Sequence, residues 1–353
     1  MPHPAILILE KYKSLLWPKI NSYLKDPIYP KSFQIPQIYT KETKHHWKMV
    51  RDYPERKGKY IRPSLLLLTS ESMGVPAQKA LKTAAAMQLS EEWMLMHDDF
   101  EDNSLMRRGK LTSHRIYGPE LSVNAGDALH AIMWKVLKDN EQLLGAKTTF
   151  ALMNEFYTML MRTILGQGVE IAWTKLPAEI FTDDQWYFIA DGKTSYYTIA
   201  LPMRLGAILG KANNKQLDML SDFGIYLGRC FQLVDDILDV TSDFNGLKQK
   251  GNDVYEGKKT IMLGHLLRNA SYNDKKIILS ILKKSRDEKT QDEVAMVISK
   301  MQEYKSIDYA KKMAEYFKEN ALEIFDNKLN FLSYQPARNN LKTVFEFILE
   351  RDY

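Results

Sequence analysis

The sequence predicts an all-α protein. Stretches of twenty residues or more carry apolar side chains on one side and polar ones on the other. Short breakers separate them, strand-type alternation is sparse, and no glycine-rich phosphate loop or Rossmann pattern occurs. Taken in order, Met1 to Trp17 sets Ile6, Leu7, Leu9, Leu15 and Leu16 among Glu10, Lys11 and Lys13, the pattern of an amphipathic helix packed on the body. It is too short and too charged to span a membrane, and it lacks a convincing cleavage site. Pro27, Pro30 and Pro36 mark an extended segment, so that 1–45 reads as an extension. The stretches 78–97, 119–140, 146–175, 183–211, 215–241 and 259–270 read as helices. The segment 241–257, with Gly246, Gly251 and Gly257, reads as a flexible basic flap. The remainder, 272–353, mixes lysine and glutamate as solvated helix faces do. No linker, low-complexity tract or fixed-period repeat divides the chain, which predicts one domain over 1–353.

Two acidic clusters carry the chemistry: Asp98-Asp99-Phe100-Glu101-Asp102 and Asp235-Asp236-Ile237-Leu238-Asp239. Each sets aspartates at i, i+1 and i+4, which a helix gathers toward one face within about one turn. Each follows an apolar run, Trp93-Met94-Leu95-Met96 in the first case and Cys230-Phe231-Gln232-Leu233-Val234 in the second. Two like charges at 4 Å repel by about 4 kcal/mol at an effective dielectric near 20, so carboxylates sharing a cleft require cations. Hard divalent cations such as Mg²⁺ take oxygen ligands and complete their shells with water and phosphate. A pair of facing helices holding a metal-bridged diphosphate is the expectation; a solvated acidic helix face is the plainer alternative for either cluster taken singly.

Basic residues lie where such a ligand needs them. Arg107-Arg108-Gly109-Lys110 follows the first cluster, Lys59 and Arg62 sit three apart before Pro63, and Lys193, Lys248 and Lys258 come later. Arginine forks bind diphosphate oxygens bidentately, and lysine supplies a mobile point charge. A basic group without metal ligands, namely Lys59, Arg62 and Arg108, predicts a second diphosphate held directly.

Together these motifs resemble the trans-isoprenyl diphosphate synthases, or polyprenyl synthetases. The matching pieces run in family order: GKYIRP (58–63), HDDFEDNSLMRRG (97–109), GDAL (126–129), GQGVE (166–170), KTSYY (193–197), FQLVDDILD (231–239) and KGNDVYEGKKT (250–260). The resemblance implies the isoprenoid synthase type I fold, antiparallel helices around a central cavity. It also implies head-to-tail condensation of isopentenyl diphosphate with an allylic diphosphate (dimethylallyl, geranyl or farnesyl) to a short all-trans product. Asp98, Asp102 and Asp235 are then the direct Mg²⁺ ligands, with Asp99, Asp236 and Asp239 completing the clusters. About three Mg²⁺ per active site are implied, with Mn²⁺ as a substitute. Arg107, Lys193, Lys248 and Lys258 bind the allylic diphosphate, and Lys193 and Lys258 help to neutralise it as it leaves. Thr194 and Gln232 steady the cation, while Lys59, Arg62, Glu91 and Arg108 bind isopentenyl diphosphate. The flap 241–257 orders over the bound diphosphate, and a homodimer is implied.

The chain departs from the family pattern in places. Glu91 stands where a histidine or glutamine is usual; its anion would repel a diphosphate unless protonated or paired with Arg62 or Arg108. Tyr60, Leu111, Glu170 and Leu247 replace the usual arginine, proline, aspartate and glycine, and none of these changes removes a metal ligand. The chain-length floor falls by resemblance on Trp93 and Met94, which favours a geranylgeranyl or farnesyl product. On a helical wheel, however, Trp93 lies about 140° from Asp98 while Glu91 lies about 20° away.

Composition fits. The 353 residues suffice for one large core, 45% are apolar, and the 17 methionines suit a pliable cavity lining. A net charge of +5 with scattered basic residues argues against nucleic acid. A single cysteine, Cys230, cannot form an intramolecular disulfide, and with no membrane-spanning segment it predicts a cytoplasmic protein. Two other classes compete. A class I terpene cyclase carries Ser or Thr where this chain has Asp239, and it would leave Lys59 and Arg62 without a second diphosphate. A non-catalytic prenyltransferase partner subunit would have lost one of the two acidic motifs.

Overall fold

The computed structural model describes residues 3–27, 29, 32–176, 180–242 and 250–349. Residues 243–249 of the expected flap, Lys248 among them, lie outside the described residues. The rest is helical: α1 Pro4–Leu24, α2 Thr40–Arg56, α3 Ile61–Ser72, α4 Ala77–Glu101, α5 Ser113–Tyr117, α6 Pro119–Lys138, α7 Glu141–Lys175, α8 Asp183–Ala190, α9 Leu201–Leu209, α10 Asn214–Thr241, α11 Asn252–Glu256, α12 Ile261–Asn269, α13 Tyr272–Leu282, α14 Gln291–Glu303, α15 Ser306–Lys328 and α16 Ala337–Leu349. Between α8 and α9 the chain runs as a π-helical segment, Asp191–Ala200. A two-residue hairpin pairs β1, Met106–Arg107, with β2, Lys110–Leu111, in antiparallel register. The expected helices are all present, and the all-α expectation holds. The stretch expected at 183–211 is helical from Asp183 to Leu209 and widens at its centre.

The chain forms two compact units. The first comprises Met1–Phe156, Pro202–Asn213 and Leu332–Val344; the second comprises Tyr157–Leu201, Asn214–Phe331 and Phe345–Tyr353. In the first, α4 is the central helix, packed by α1, α3 and α6. Helix α1 buries Ala5, Leu9, Tyr12, Leu16, Ile20 and Leu24, a spacing of three and four residues. The expected packing of this helix is therefore seen, although Ile6 and Leu7 are exposed. In α4, every residue from Thr83 to Ser90 is buried, which explains the absence of an amphipathic pattern there.

In the second unit α10 occupies the corresponding role, packed by the π segment and α15. Phe223, Phe325 and Phe345 form its aromatic core, with ring centroids 4.9–5.9 Å apart. Helix α10 and the π segment approach closely at Gly228, where a Cβ would lie 2.3 Å from Cα of Ser195. Only glycine permits that approach. Among the described residues no helix is long and apolar enough to cross a membrane.

Candidate active site

The first unit presents its aspartates at the C-terminal end of α4. Carbonyl groups there carry partial negative charge, so carboxylates are disfavoured unless cations are near. Asp98 is half-buried, and Asp102 caps the helix, its N–H donating to the Asp98 carbonyl at 2.8 Å. Asp99 differs: it is fully buried. Arg107 Nε lies 3.1 and 3.0 Å from its two oxygens, and Arg107 Nη2 donates to Oδ1 at 2.5 Å. Tyr53 Oη donates to Asp99 Oδ2 at 2.5 Å; burial, reinforced by Asp99, holds that phenol protonated. The sequence expectation grouped Asp99 with the metal ligands. Here its oxygens are committed to Arg107 and Tyr53, and they tie the hairpin to α2 and α4. Arg107 also reaches Asp98 at 3.8 Å.

The isopentenyl diphosphate residues predicted from the sequence also lie in this unit. Tyr60 adopts a left-handed conformation at the start of α3, which leaves Lys59 exposed and Arg62 on the first turn. Arg62 Nη1 lies 3.3 Å from Glu91 Oε1, and Arg108 Nη2 lies 3.6 Å from the same oxygen. Glu91 is therefore salt-bridged to both arginines. Sequence reasoning missed its neighbour: Glu92 is wholly buried and accepts from Arg108 Nη1 at 2.8 Å. Burial pushes the Glu92 carboxyl up to about 7, against the pull of Arg108. A charged residue inside a run of buried positions was the available signal. Trp93 is buried beside α6, its ring 4.6 Å from that of His130 and 5.5 Å from that of His97, while Met94 is half-buried.

The second unit holds a cavity of about 110 Å³. Glu170, Lys193, Thr194, Gln232, Asp235 and Lys258 are among the residues that line it. Lys193 and Thr194 sit in the π segment, a widened helix of the kind found at functional sites. Lys193 Nζ donates to Glu170 at 2.6 Å. Thr194 Oγ1 donates to Gln232 Oε1 at 2.7 Å, and Gln232 Nε2 donates to Asp236 Oδ1 at 2.8 Å, so a polar chain runs from the π segment to the aspartates. Lys258 pairs with Glu256 at 2.9 Å and lies 3.8 Å from Asp253. Asp235 is exposed, whereas Asp239 is fully buried and accepts from the Asp253 N–H at 3.0 Å.

Asp236 decides whether a cation fits here. Its Oδ2 is buried with no hydrogen-bond partner. Burial, then Asp253 and Asp235, pushes its carboxyl well above the usual carboxylate range. A cavity with oxygen donors and surplus negative charge suits a hard divalent cation. Among the described residues, no preformed group of three or more acidic, histidine or cysteine ligands is present. Substrate oxygens and water would therefore complete any coordination shell.

Comparison with known proteins gives a consistent picture. The family model described as polyprenyl synthetase matches residues 44–301. The chain is similar to the geranylgeranyl diphosphate synthase of Saccharolobus solfataricus, at 31% identity over 83% of this chain and 86% of the relative. It is similar in structure to the geranylgeranyl pyrophosphate synthetase of Pyrococcus horikoshii, with a TM-score of 0.83 and 27% identity, covering 99% of this chain and 98% of that one. The Corynebacterium glutamicum geranylgeranyl pyrophosphate synthase complexed with isoprenyl diphosphate and magnesium shares the fold. Its TM-score is 0.84 at 23% identity, over 98% of this chain and 99% of that one.

Proposed function

The chain belongs to the polyprenyl synthetase family, and we propose that it condenses isopentenyl diphosphate head to tail with an allylic diphosphate to give geranylgeranyl or farnesyl diphosphate. It is a prenyltransferase that forms a short-chain prenyl diphosphate. The observation that carries the reading is Asp236, a buried carboxylate with an idle oxygen beside Asp235 in a cavity that also holds Lys193 and Lys258. Such a site binds a cation and a polyanion together.

Asp98, Asp102 and Asp235 are the carboxylates we assign to Mg²⁺, with Asp236 and Asp239 as their support. Bound there, the metal would act as a Lewis acid and template for the leaving diphosphate, with about three ions engaged once substrate is present and Mn²⁺ able to replace them. Asp99 acts through Arg107, which it orients toward the allylic diphosphate. Lys193, Lys258 and Lys248 add positive charge that grows in value as the allylic C–O bond ionises. Thr194 and Gln232, linked by a hydrogen bond, direct oxygen dipoles at the carbocation. Lys59, Arg62 and Arg108 hold isopentenyl diphosphate while its double bond attacks. The proton then leaves to the departing diphosphate. Trp93 and Met94 form the floor that stops elongation.

Both units serve one catalytic domain, a reading supported by a family match that runs across them. A homodimer is supported by the exposed apolar residues of α7, Leu143, Phe150, Tyr157, Met161, Ile164 and Leu165. The single cysteine, buried as a thiol, supports a cytoplasmic setting.

The test is incubation of purified protein with Mg²⁺, labelled isopentenyl diphosphate and each allylic primer, followed by chromatography of the dephosphorylated products. Incorporation into chains of fifteen or twenty carbons is expected. A cyclic hydrocarbon formed without isopentenyl diphosphate would replace this reading with a terpene cyclase, and an inert protein would point to a partner subunit.

A further inference from the structure

The Arg62–Arg108 pair meets two consecutive carboxylates of α4, and they meet it differently. Glu92 is wholly buried, with Oε2 accepting from Arg108 Nη1 at 2.8 Å and Oε1 accepting from Gln88 Nε2 at 2.6 Å. The same Arg108 nitrogen also donates to the Tyr53 carbonyl at 3.1 Å. Gly58 leaves room for the guanidinium, since a Cβ there would lie 2.8 Å from Arg108 Nη2. Arg108 is thus held on one edge by a buried anion and a carbonyl. Its Nη2 edge faces Glu91.

Glu91 is held more loosely. Its Oε1 stands 3.3 Å from Arg62 and 3.6 Å from Arg108, and its side chain is 13% exposed. Its Oε2 is buried without a hydrogen-bond partner. One oxygen therefore lies at ion-pair distance from two guanidinium groups, and the other makes no hydrogen bond. A diphosphate offers more charge and more acceptor oxygens to the same two arginine forks, in the bidentate geometry they favour. The buried Tyr60 also lies beside this pair, and burial keeps its phenol protonated, so it supplies no competing anion.

We propose that Glu92 is a positioning residue that locks Arg108, and that Glu91 is an internal anion occupying the Arg62–Arg108 pair until isopentenyl diphosphate displaces it. The inference rests on the assignment of Arg62 and Arg108 to isopentenyl diphosphate. It gives the two neighbours opposite effects. Removing the charge of Glu91 unmasks the arginines, whereas removing that of Glu92 releases Arg108 from its fixed orientation.

The test is steady-state kinetics of Glu91→Gln and Glu92→Gln with each substrate varied, run beside Arg62→Ala at about pH 8. Glu91→Gln is expected to lower the KM for isopentenyl diphosphate about threefold to tenfold, and Glu92→Gln to raise it about tenfold, or about 1.4 kcal/mol. Both effects should fall on that KM rather than on kcat or on the allylic KM. Calorimetric titration with inorganic diphosphate in the presence of a chelator reads the same opposition without turnover, and it decides the matter on Glu91→Gln alone if Glu92→Gln misfolds. Shifts in the same direction, or no shift from Glu91→Gln, overturn the proposal. If Arg62→Ala also leaves isopentenyl diphosphate binding unchanged, the assignment of the arginines fails with it; if Arg62→Ala weakens binding, that assignment survives and only the roles of the glutamates fall.

Discussion

A buried carboxylate reveals its purpose by what neutralises it. Asp99 has Arg107 and Tyr53, Glu92 has Arg108 and Gln88, and Asp236 has one amide and an idle oxygen. The first two therefore hold cationic side chains of the protein, and the third fits the proposal that it takes part in a metal site. Asp98→Ala and Asp235→Ala should each lower turnover at saturating Mg²⁺ by roughly three orders of magnitude, about 4 kcal/mol of transition-state stabilisation, while the melting temperature changes little. Near-normal rates in either variant would remove that aspartate from the metal site. Glu92 makes a separate prediction about stability. Its folded-state value, about 7, lies above the 4.5 of a free glutamate, so the folded chain binds this proton more tightly than the unfolded chain does. Its contribution to stability is thus largest in acid, declines as pH climbs from about 4.5 through about 7, and is level above that. Glu92→Gln, fixed in the neutral shape, should gain stability relative to wild type across the same window in melting curves taken at each pH. A loss instead would mean that the Arg108 ion pair outweighs the cost of burial.

Elements position each of these residues, and here the sequence was legible to different depths. Periodicity and breakers located the helices because most of them bury one face, as α1 does with its three-and-four spacing. The hairpin at 106–111 escaped, since strands of two residues leave no alternation to read. The π segment was hidden inside the helical stretch 183–211, because Thr194 to Ala200 are all buried and no period shows. Both aspartate motifs could be found by spacing, but not the different fate of their members. Consecutive helical residues point about 100° apart, so Asp99 turns into the core while Asp98 does not. Glu92 offered only a charge inside a largely apolar run, because its partner Arg108 lies on a hairpin sixteen residues away. The contact of α10 with the π segment has its own test. Gly228→Ala would place a Cβ 2.3 Å from a backbone atom of Ser195, so the two elements must separate. That change should cost about 1–3 kcal/mol in unfolding free energy. It should also lower turnover by breaking the Thr194–Gln232–Asp236 chain. A variant with normal stability and turnover would show that the close approach is not required.

At the scale of the whole molecule, ligand binding and stability are linked. Anything that binds the folded chain and not the unfolded one raises stability by RT ln(1 + [L]/Kd), about 2.7 kcal/mol at a hundred times Kd. On the proposed reading the ligand has two parts that need each other: the aspartates would attract Mg²⁺ without completing its shell, and the lysines that would attract diphosphate are already paired with Glu170 and Glu256. Mg²⁺ alone and inorganic diphosphate alone should therefore shift the melting temperature little, whereas the two together should raise it by about 3–5 °C for a chain of this size. The excess over the sum of the separate shifts is the informative quantity, because only a metal-bridged ligand produces it. Asp235→Ala should abolish the excess while keeping whatever diphosphate alone confers, since the lysines are intact. Additive shifts in the wild-type protein, or an undiminished excess in Asp235→Ala, would mean that the acidic clusters and the lysines bind their ligands independently. The metal-bridged diphosphate would then have to be abandoned.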